Sequence, residues 1–295
     1  MPSTEVPLQV QALDEPEDTL VDEGKVRARD EPAIMPTVRR VTLLPTVLLP
    51  ALLDRAPLSI SMLYIFAGAA RYSDVASHLR KLCAAGGFLL NAVEVDILRD
   101  PLLHDVLDEV NWQGLMLRVT NHEFQVVLVT PPCNTHSRAV WANSDGPKPV
   151  RSRVHPLGFP WLQGKQLAKC GMANLFMEKS IEASLVAHSA GAVFLWEHPE
   201  DLGVTGNGGN PASVWALEEL IAMARSTSSA TCAIHQCKYG LDAAKPTRLL
   251  GTLPGLKAQP FQGWPQFTKT GHYKGPPNAL RPQTSAEAHW KRFVR

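Results

Sequence analysis

The sequence predicts an α/β fold built on a Rossmann-like, doubly wound and mostly parallel sheet. Apolar runs of strand-forming residues alternate along the chain with helical segments, as in a sheet that helices cover on both faces. The run at 125–130 is apolar almost throughout, which is typical of a strand buried on both sides. Three runs end in residues that can carry chemistry, namely Phe66-Ala67-Gly68, Pro131-Pro132-Cys133 and Glu197-His198-Pro199.

Composition divides the chain into three parts. It has 295 residues, of which 45% are hydrophobic, so it can form one large domain or two small ones. Residues 1–57 carry many acids and scattered prolines, and we expect a disordered or linker segment there. We predict the folded domain at 58–254. Residues 255–295 form a basic tail rich in proline and glycine, which suits a polyanionic partner or a solvated surface.

The cysteines and the hydropathy of the chain indicate where the protein is located and whether it has a metal site. The five cysteines lack the spacing of a disulfide framework, and the acidic N-terminus does not resemble a signal peptide, so we expect an intracellular protein, nuclear in a eukaryote. Residues 42–53 are apolar but short and interrupted by prolines, so we expect no membrane partner. Cys232, His235 and Cys237 have no second ligand pair at zinc-site spacing, so we predict no metal site.

The first strand and helix predict a ligand-binding turn. Residues 60–66 predict a buried strand, and the small residues 67–70 predict a turn where backbone can approach a ligand closely. Ser73 or Asp74 can cap the helix that follows. The next strand, at 92–96, ends in an acid, where a nucleotide-type cofactor would have its ribose hydroxyls held. We predict helices from Asp100 to Val110 and from Trp112 to Val119.

Cys133 follows the central strand directly. Two prolines fix φ before it and hold it at the carboxyl edge, where ligands bind in open α/β sheets. Considered alone, this stretch supports a small buried hydrophobe as well as a nucleophile. A polar loop at 134–153 follows, and loops of this length are often functional. Its bases indicate phosphate contact or a solvated loop; they are Arg138, Lys148, Arg151 and Arg153.

The second half repeats the alternation of helix and strand. We predict a helix from Gln163 to Ala187, a strand at 192–199 that ends near Glu197, a helix that begins at Pro211, and strands at 229–234 and 245–250. The predicted buried face of the first of these helices comprises Leu167, Leu175, Met177, Ile181 and Leu185.

The three strand ends Phe66-Ala67-Gly68, Pro131-Pro132-Cys133 and Glu197-His198-Pro199 resemble, in that order, the DNA (cytosine-5) methyltransferase family. The likeness is closest to the variants of that family in retroelement and phage polyproteins. Three longer stretches carry this closer likeness: Pro131-Pro132-Cys133-Asn134-Thr135-His136-Ser137-Arg138, Arg151-Ser152-Arg153-Val154-His155-Pro156-Leu157-Gly158 and Lys245-Pro246-Thr247-Arg248. The resemblance covers about residues 60–255. It implies the sheet of S-adenosylmethionine-dependent methyltransferases, S-adenosylmethionine as cofactor, DNA rather than RNA as partner, and an origin in a larger polyprotein.

The resemblance also implies residue roles. Cys133 would add as a thiolate to C6 of a cytosine, Glu197 would hydrogen-bond the ring N3 and the exocyclic amine, and Arg248 would complete the catalytic set. The base must leave its stack to be reached. The implied cofactor contacts are Phe66, Ala67, Gly68, Asp96, Asp105 and Pro131. The implied nucleic-acid contacts are Arg138, Arg151 and Arg153.

Two alternatives stay open. Alanines replace further glycines after Gly68, and His198 replaces the asparagine of the family, so a nucleic-acid-binding remnant of a mobile element without methyl transfer is one alternative. The other is an α/β-hydrolase with Ser189 as nucleophile, because Ala187-His188-Ser189-Ala190-Gly191 resembles a nucleophile elbow. Its triad would be completed by Asp201 with His235 or by Asp242 with His272. However, the elbow needs a strand before the serine, and a helix is predicted there.

Overall fold

A computed structural model describes residues 58–142, 146–239 and 245–275. They form a six-stranded sheet of order β2-β1-β3-β4-β6-β5. The predicted N-terminal segment, Asp242 and the end of the predicted tail lie outside the described residues. The strands are β1 Leu58–Ile65, β2 Phe88–Val95, β3 Val126–Val129, β4 Val193–Pro199, β5 Ala230–His235 and β6 Pro246–Gly251. The helices are α1 Val75–Ala85, α2 Glu109–Thr120, α3 Ala139–Ala142, α4 Gly164–Ser189 and α5 Glu218–Ser226.

The sheet is mixed but mostly parallel. Strand β1 pairs in parallel with β2 and β3, and β3 pairs in parallel with β4. Strand β6 lies between β4 and β5 and is antiparallel to both. An α/β fold with a mostly parallel sheet and flanking helices is therefore confirmed, and it is compatible with a Rossmann-like arrangement. None of the helices in the described ranges has the length and hydrophobicity needed to cross a bilayer.

The alternation of side chains along the strands gives the sheet two different faces. One face carries Ile65, Val127 and Phe194, which pack with residues of α2, α4 and α5 in the larger core cluster. Each of these three side chains is fully buried, and burial of such a side chain contributes about 1.5–3 kcal/mol. The other face carries Tyr64 and Leu128 and packs with α1. The strands are thus buried on both sides, as predicted.

The chain between β2 and α2 differs from the prediction. The helix predicted from Asp100 to Val110 is absent, and turns occupy most of that stretch. Asp100 Oδ1 accepts the N–H groups of Leu102 and Leu103, both at 3.0 Å. Asp105 Oδ1 accepts the N–H of Leu107 at 2.9 Å. These short carboxylates satisfy backbone donors locally and so compete with a helix. The helix begins only at Glu109, with Asp108 as N-cap.

Two further helix predictions need correction. Pro211 does not open a helix, because a 3₁₀ turn at Val214–Ala216 precedes α5, which begins at Glu218. The extent of α4 was predicted well, but Leu167, Leu175 and Leu185 are exposed. Small side chains let this long helix pack closely on α2, β3 and β4. Its buried residues are Cys170, Ala173, Met177, Ser180, Ala183, Ser184 and Ala187.

Residues after 254 continue to contact the sheet. Leu256, in a 3₁₀ turn at Pro254–Ala258, is buried. Gln262 forms a bridge with Cys232 on the edge strand β5. Tyr273 is buried as well. The described part of the predicted tail therefore covers the edge of the sheet at β5, which protects that edge from pairing with another chain.

Candidate active site at the carboxyl edge of the sheet

Residues at or just beyond the carboxyl ends of four parallel strands line one edge of the sheet. Ile65 pairs with Val95 and with Val129, and Val129 pairs with Trp196. The next residue of each strand or turn is therefore Phe66, Asp96, Thr130 or Glu197, in neighbouring positions along that edge. Ligands bind beyond the carboxyl ends of strands in such sheets. The structure thus brings the predicted cofactor residues and Glu197 to the same edge.

The turn after β1 has an unusual backbone. Phe66 and Gly68 have φ values of 63° and 73°, in the left-handed region. That conformation costs a non-glycine residue about 1–2 kcal/mol, so surrounding contacts must hold Phe66 in it. The Gly68 N–H donates to Asp96 Oδ2 at 2.8 Å, and the Ala67 N–H donates to the carbonyl of Val95 at 3.2 Å. The Phe66 ring meets Phe176 of α4 edge-on at 5.3 Å between centroids.

Arg99 fixes this turn from the other side. Its Nε donates to the Gly68 carbonyl at 2.7 Å. Its Nη2 lies 2.9 Å from Glu94 and 3.3 Å from Asp74, the N-cap of α1. One side chain therefore joins the turn, β2 and α1. Arg99 was not predicted from the sequence, where the only signal was its position three residues after Asp96.

Asp96 retains the capacity to bind a diol. Its Oδ2 accepts the Gly68 N–H, and its Oδ1 accepts the Leu98 N–H at 2.9 Å. Each carboxylate oxygen can accept a second hydrogen bond, so two acceptor sites are left for hydroxyl groups. The Asp96 N–H approaches His104 Nδ1 at 3.4 Å. Asp105 lies in the same turn region and binds the backbone of Leu107. These two free acceptor positions of Asp96 could receive the hydrogen bonds that the two hydroxyl groups of a ribose donate.

Cys133 is half-buried just beyond β3. Its carbonyl accepts the N–H groups of His136 at 3.1 Å and of Ser137 at 2.8 Å, so the chain turns sharply after it. Pro131, two residues earlier, is buried. Burial raises the pKa of the Cys133 thiol, the negative charge of Glu197 raises it further, and the ammonium group of Lys245 opposes them. The free cysteine is therefore mostly a thiol near neutral pH.

Glu197 has an unsatisfied carboxyl oxygen at the edge of the sheet. Its buried Oε1 makes no hydrogen bond within the described residues, and Lys245 Nζ lies 3.7 Å from it. Burial raises the pKa of Glu197, and Lys245 opposes this shift. The phenol of Tyr64 shares this face of the sheet. Its pKa is raised by burial and, to a smaller extent, by Glu197. Lys245 was missed as a site residue, although it opens the Lys-Pro-Thr-Arg stretch.

Arg248 does not lie with Cys133, Glu197 and Lys245. It is 2% exposed, and its Nε and Nη2 donate to the two carboxylate oxygens of Glu200 at 3.0 and 2.6 Å. Its Nη1 donates to Thr231 Oγ1 at 3.2 Å and to the Gly263 carbonyl. Tyr273 Oη donates to Glu200 at 3.1 Å. The predicted catalytic arginine is instead half of a buried ion pair, because its register puts it on the opposite face of the sheet from Glu197.

Arg151 also lies inside the protein rather than on its surface. It is 1% exposed. Its Nη1 donates to His136 Nε2 at 2.9 Å, to the Pro156 carbonyl at 2.7 Å and to Asn174 Oδ1 at 2.9 Å. Its Nη2 donates to the Cys170 carbonyl at 3.2 Å. A phosphate cannot reach this guanidinium without displacing these partners. Arg151 therefore clamps the loop after Cys133 to α4.

The other two predicted nucleic-acid contacts hold the loop after β4. Arg138 Nη1 donates to the Leu202 carbonyl at 2.8 Å. Arg153 Nη2 lies 2.7 Å from both oxygens of Asp201, and its guanidinium lies over the Phe267 ring at 5.0 Å. The Arg153 side chain remains 31% exposed. Arg138 and Arg153 are both half-buried, and the exposed part of Arg153 can still meet an anion at the surface.

The hydrolase arrangement is not assembled. Ser189 is the last residue of α4 and precedes β4, so no strand leads into it. Asp201 lies beyond the other end of β4. This strand has seven residues, which at about 3.3 Å each span about 23 Å. Ser189 and Asp201 thus lie at opposite edges of the sheet. In the described part of the chain, no three His, Cys, Asp or Glu residues form a group that could hold a metal ion.

Comparisons with known protein families, with curated proteins and with solved structures find no match for this chain. A functional proposal therefore depends on the geometry of this edge and on the motifs that lie along it.

Proposed function

We propose that the chain is an S-adenosylmethionine-dependent methyltransferase, and that it transfers the methyl group to C5 of a cytosine in nucleic acid, with DNA as the expected polymer. One observation carries the proposal. Cys133 follows β3, Glu197 lies near the carboxyl end of the adjacent strand β4, and the negative charge of Glu197 raises the pKa of the Cys133 thiol. Asp96 follows β2, which is two strands from β3 on the same edge of the sheet.

The sheet supports the class of enzyme. A wholly parallel dinucleotide-binding sheet has the order 3-2-1-4-5-6. Here the last strand, β6, is antiparallel and inserted before the edge strand β5. The mostly parallel pairing of the other strands is compatible with the Rossmann-like sheet that the resemblance implies. The resemblance assigns the turn after β1 and the carboxylate after β2 to the cofactor.

The residues of the edge have the chemistry to bind that cofactor. Asp96 offers two free acceptor positions for the ribose hydroxyls. Phe66, in the turn that binds Asp96, is half-buried and offers apolar surface. Pro131 is buried beyond β3, with β1 between that strand and β2. A Cβ added to Gly68 would have no atom within 4 Å, so the turn borders open space. When bound, S-adenosylmethionine would supply an electrophilic methyl group. Asp105 is the weakest assignment, because one of its oxygens already binds its own turn.

Cys133 and Glu197 divide the work on the base. The Cys133 thiolate forms a bond from Sγ to C6 of the cytosine, which places electron density on C5. Glu197 keeps its proton to a higher pH because it is buried. In this form it donates a hydrogen bond to N3 and so stabilises the negative charge of the adduct. When bound, S-adenosylmethionine would supply the methyl group to C5 and would leave as S-adenosylhomocysteine. The C5 proton would then pass to water, and the bond between Sγ and C6 would break to release the Cys133 thiolate.

Two measurements test the proposal in sequence. Calorimetry with S-adenosylmethionine should give saturable binding to the full chain and much weaker binding to Asp96→Ala. A DNA that contains 5-fluorocytosine should then form a covalent complex with the wild-type chain, because the fluorine cannot be eliminated as a proton. Cys133→Ser should abolish this complex, whereas Cys83→Ser, which changes another half-buried cysteine, should not. A complex that survives Cys133→Ser would remove this residue from the mechanism.

A nucleic-acid-binding remnant without catalysis is the second candidate. The raised pKa of Cys133 favours it, since the free site does not activate its own thiol. This candidate predicts strongly salt-dependent binding of nucleic acid together with no saturable binding of S-adenosylmethionine. The calorimetry described above therefore separates the two.

A further inference from the structure

We infer that the loop before α4 carries a stacking surface for an unpaired base of single-stranded nucleic acid. We call this surface the aromatic shelf; it consists of His155, Phe159 and Trp161. Trp161 and Phe159 stack with their ring centroids 4.7 Å apart and their planes 8° from parallel. His155 meets the rings of both edge-on at 5.9 Å. Trp161 is nevertheless 65% exposed, so the face of the indole opposite Phe159 is accessible.

Buried residues hold the aromatic shelf in place. Phe159 packs against the small core cluster of Val150, Leu162 and Cys170. Its N–H donates to the Val150 carbonyl at 2.9 Å. Because Trp161 rests flat on this anchored ring, its indole is fixed before any ligand arrives. A base that stacks on it then loses little affinity to ordering of the protein.

The charge around the shelf selects an anionic partner. From residue 146 to residue 177 the chain has five Lys and Arg residues and no Asp or Glu. Three of the bases, Lys148, Lys165 and Lys169, are exposed. A flat aromatic face beside exposed cations is the combination that binds single strands: rings stack on bases and lysines contact phosphates. An apolar protein partner would not require the absence of acids over this length.

The shelf is connected to the loop of the candidate nucleophile. Arg151 Nη1 binds both His136, three residues after Cys133, and the carbonyl of Pro156 beside the shelf. Its Nη2 binds α4 through the Cys170 carbonyl. A strand held on the shelf therefore lies against the same rigid unit that positions Cys133. The inference rests on the proposed function only for the kind of polymer, and it does not require that Cys133 react.

Affinity for a labelled single-stranded DNA 20-mer, measured by fluorescence anisotropy on the full chain without cofactor, tests the shelf. Trp161→Ala should weaken binding about 5- to 100-fold, because a stacked base is worth roughly that much. Trp161→Phe, which keeps a ring, should stay within about threefold of wild type. Leu117→Ala removes a 60% exposed side chain on α2 and should change nothing.

The lysines give an independent readout. Lys165→Gln and Lys169→Gln should each reduce the slope of log affinity against log salt by about 0.7, the value for one phosphate contact on a single strand. Thermal unfolding of each variant establishes that it is folded. Equal affinity of Trp161→Ala and wild type refutes the shelf. Loss of self-association in Trp161→Ala, without loss of DNA affinity, also refutes it and makes the surface a protein contact.

The same assay separates this inference from the proposed function. The 20-mer is bound without cofactor and without a covalent bond, so this affinity is measured independently of the 5-fluorocytosine complex. Failure of cofactor binding leaves the shelf result intact. An unchanged affinity in Trp161→Ala with a normal covalent complex would reject the shelf and retain the methyltransferase.

Discussion

Replacement of Arg248 by methionine should destabilise the domain without acting on the chemistry directly. The Arg248 and Glu200 side chains are 3% and 1% exposed, and two hydrogen bonds join them. In Arg248→Met, the Glu200 carboxylate keeps only two donors, the hydroxyl of Tyr273 and the backbone N–H of Asp201. An uncompensated buried charge of this kind costs about 3–5 kcal/mol. A whole domain is stable by only about 5–15 kcal/mol, so the loss is a large part of the total.

The double variant Arg248→Met/Glu200→Leu separates the cost of losing the ion pair from the cost of leaving the Glu200 carboxylate buried without a partner. Replacement of a buried ion pair by apolar side chains of similar size is often neutral or stabilising. The Tyr273 hydroxyl then lacks its acceptor, which costs about 1–3 kcal/mol. We therefore expect the double variant to be more stable than Arg248→Met alone by at least about 1 kcal/mol. The coupling free energy between the two positions follows when Glu200→Leu alone is measured as well.

Urea unfolding followed by circular dichroism measures these free energies. Arg118→Met is the matched control, because its ion pair with Glu123 is 42% and 45% exposed. Exposed pairs contribute about 0–1 kcal/mol, so this variant should unfold near wild type. The reasoning is refuted if Arg248→Met unfolds at the same urea concentration as Arg118→Met. If it does so while losing the 5-fluorocytosine complex, Arg248 acts on the substrate after all.

Three further outcomes are expected. Burial lowers the pKa of His198 from 6.5 to about 3, so below pH 6.5 the unfolded chain binds a proton that the folded chain does not. Stability should therefore fall as the pH falls from about 6.5 towards 3, by up to about 1.4 kcal/mol per pH unit. In His198→Asn the urea midpoint should depend less on pH. If the midpoints of His198→Asn and wild type changed in parallel with pH, this reasoning would be contradicted. Glu197→Gln removes a negative charge that raises the pKa of Cys133, so Cys133 should be alkylated at lower pH in this variant. Mass spectrometry of the Cys133 peptide measures the pH midpoint of alkylation. An unchanged midpoint would mean that the two groups do not interact. Gly251→Ala places a methyl group against the backbone of β4 and should cost about 1–3 kcal/mol in the same urea assay, whereas Gly255→Ala, which meets no atom within 4 Å, should be nearly neutral.

Most of the sheet could be predicted because its strands are short apolar runs with clear ends. The turn residues and caps were informative too: Asp74 caps α1 and accepts the Ser77 N–H at 2.8 Å, as predicted. The helix predicted from Asp100 failed for a physical reason. Leucines at helical spacing favoured it, but three aspartates within nine residues each bind nearby backbone N–H groups. Local side-chain acceptors outweighed the apolar period.

The roles of the arginines could not be predicted from their neighbours in sequence. Arg151 binds groups 5 to 23 residues away, and Arg248 binds a carboxylate 48 residues away. Which arginine meets a carboxylate, a carbonyl or solvent depends on how the elements pack. A cluster of bases near a strand end is therefore compatible with phosphate contact and equally with internal clamps. Burial distinguishes the two, and burial is a property of the fold.

The register of β4 explains why Glu197 lies in the candidate site while its neighbour His198 lies among the buried residues on the opposite face. Glu197 and His198 are adjacent in sequence, so their side chains point to opposite faces of the sheet. Glu197 shares a face with Tyr64 and interacts with Lys245. His198 pairs with Arg248 on the other face and lies beside the buried ring of Trp215 at 6.3 Å. It follows that His198 belongs to the buried side chains that support the site and not to the site itself. Substitutions at 198 should change stability and its pH dependence, and substitutions at 197 should change the reactivity of Cys133.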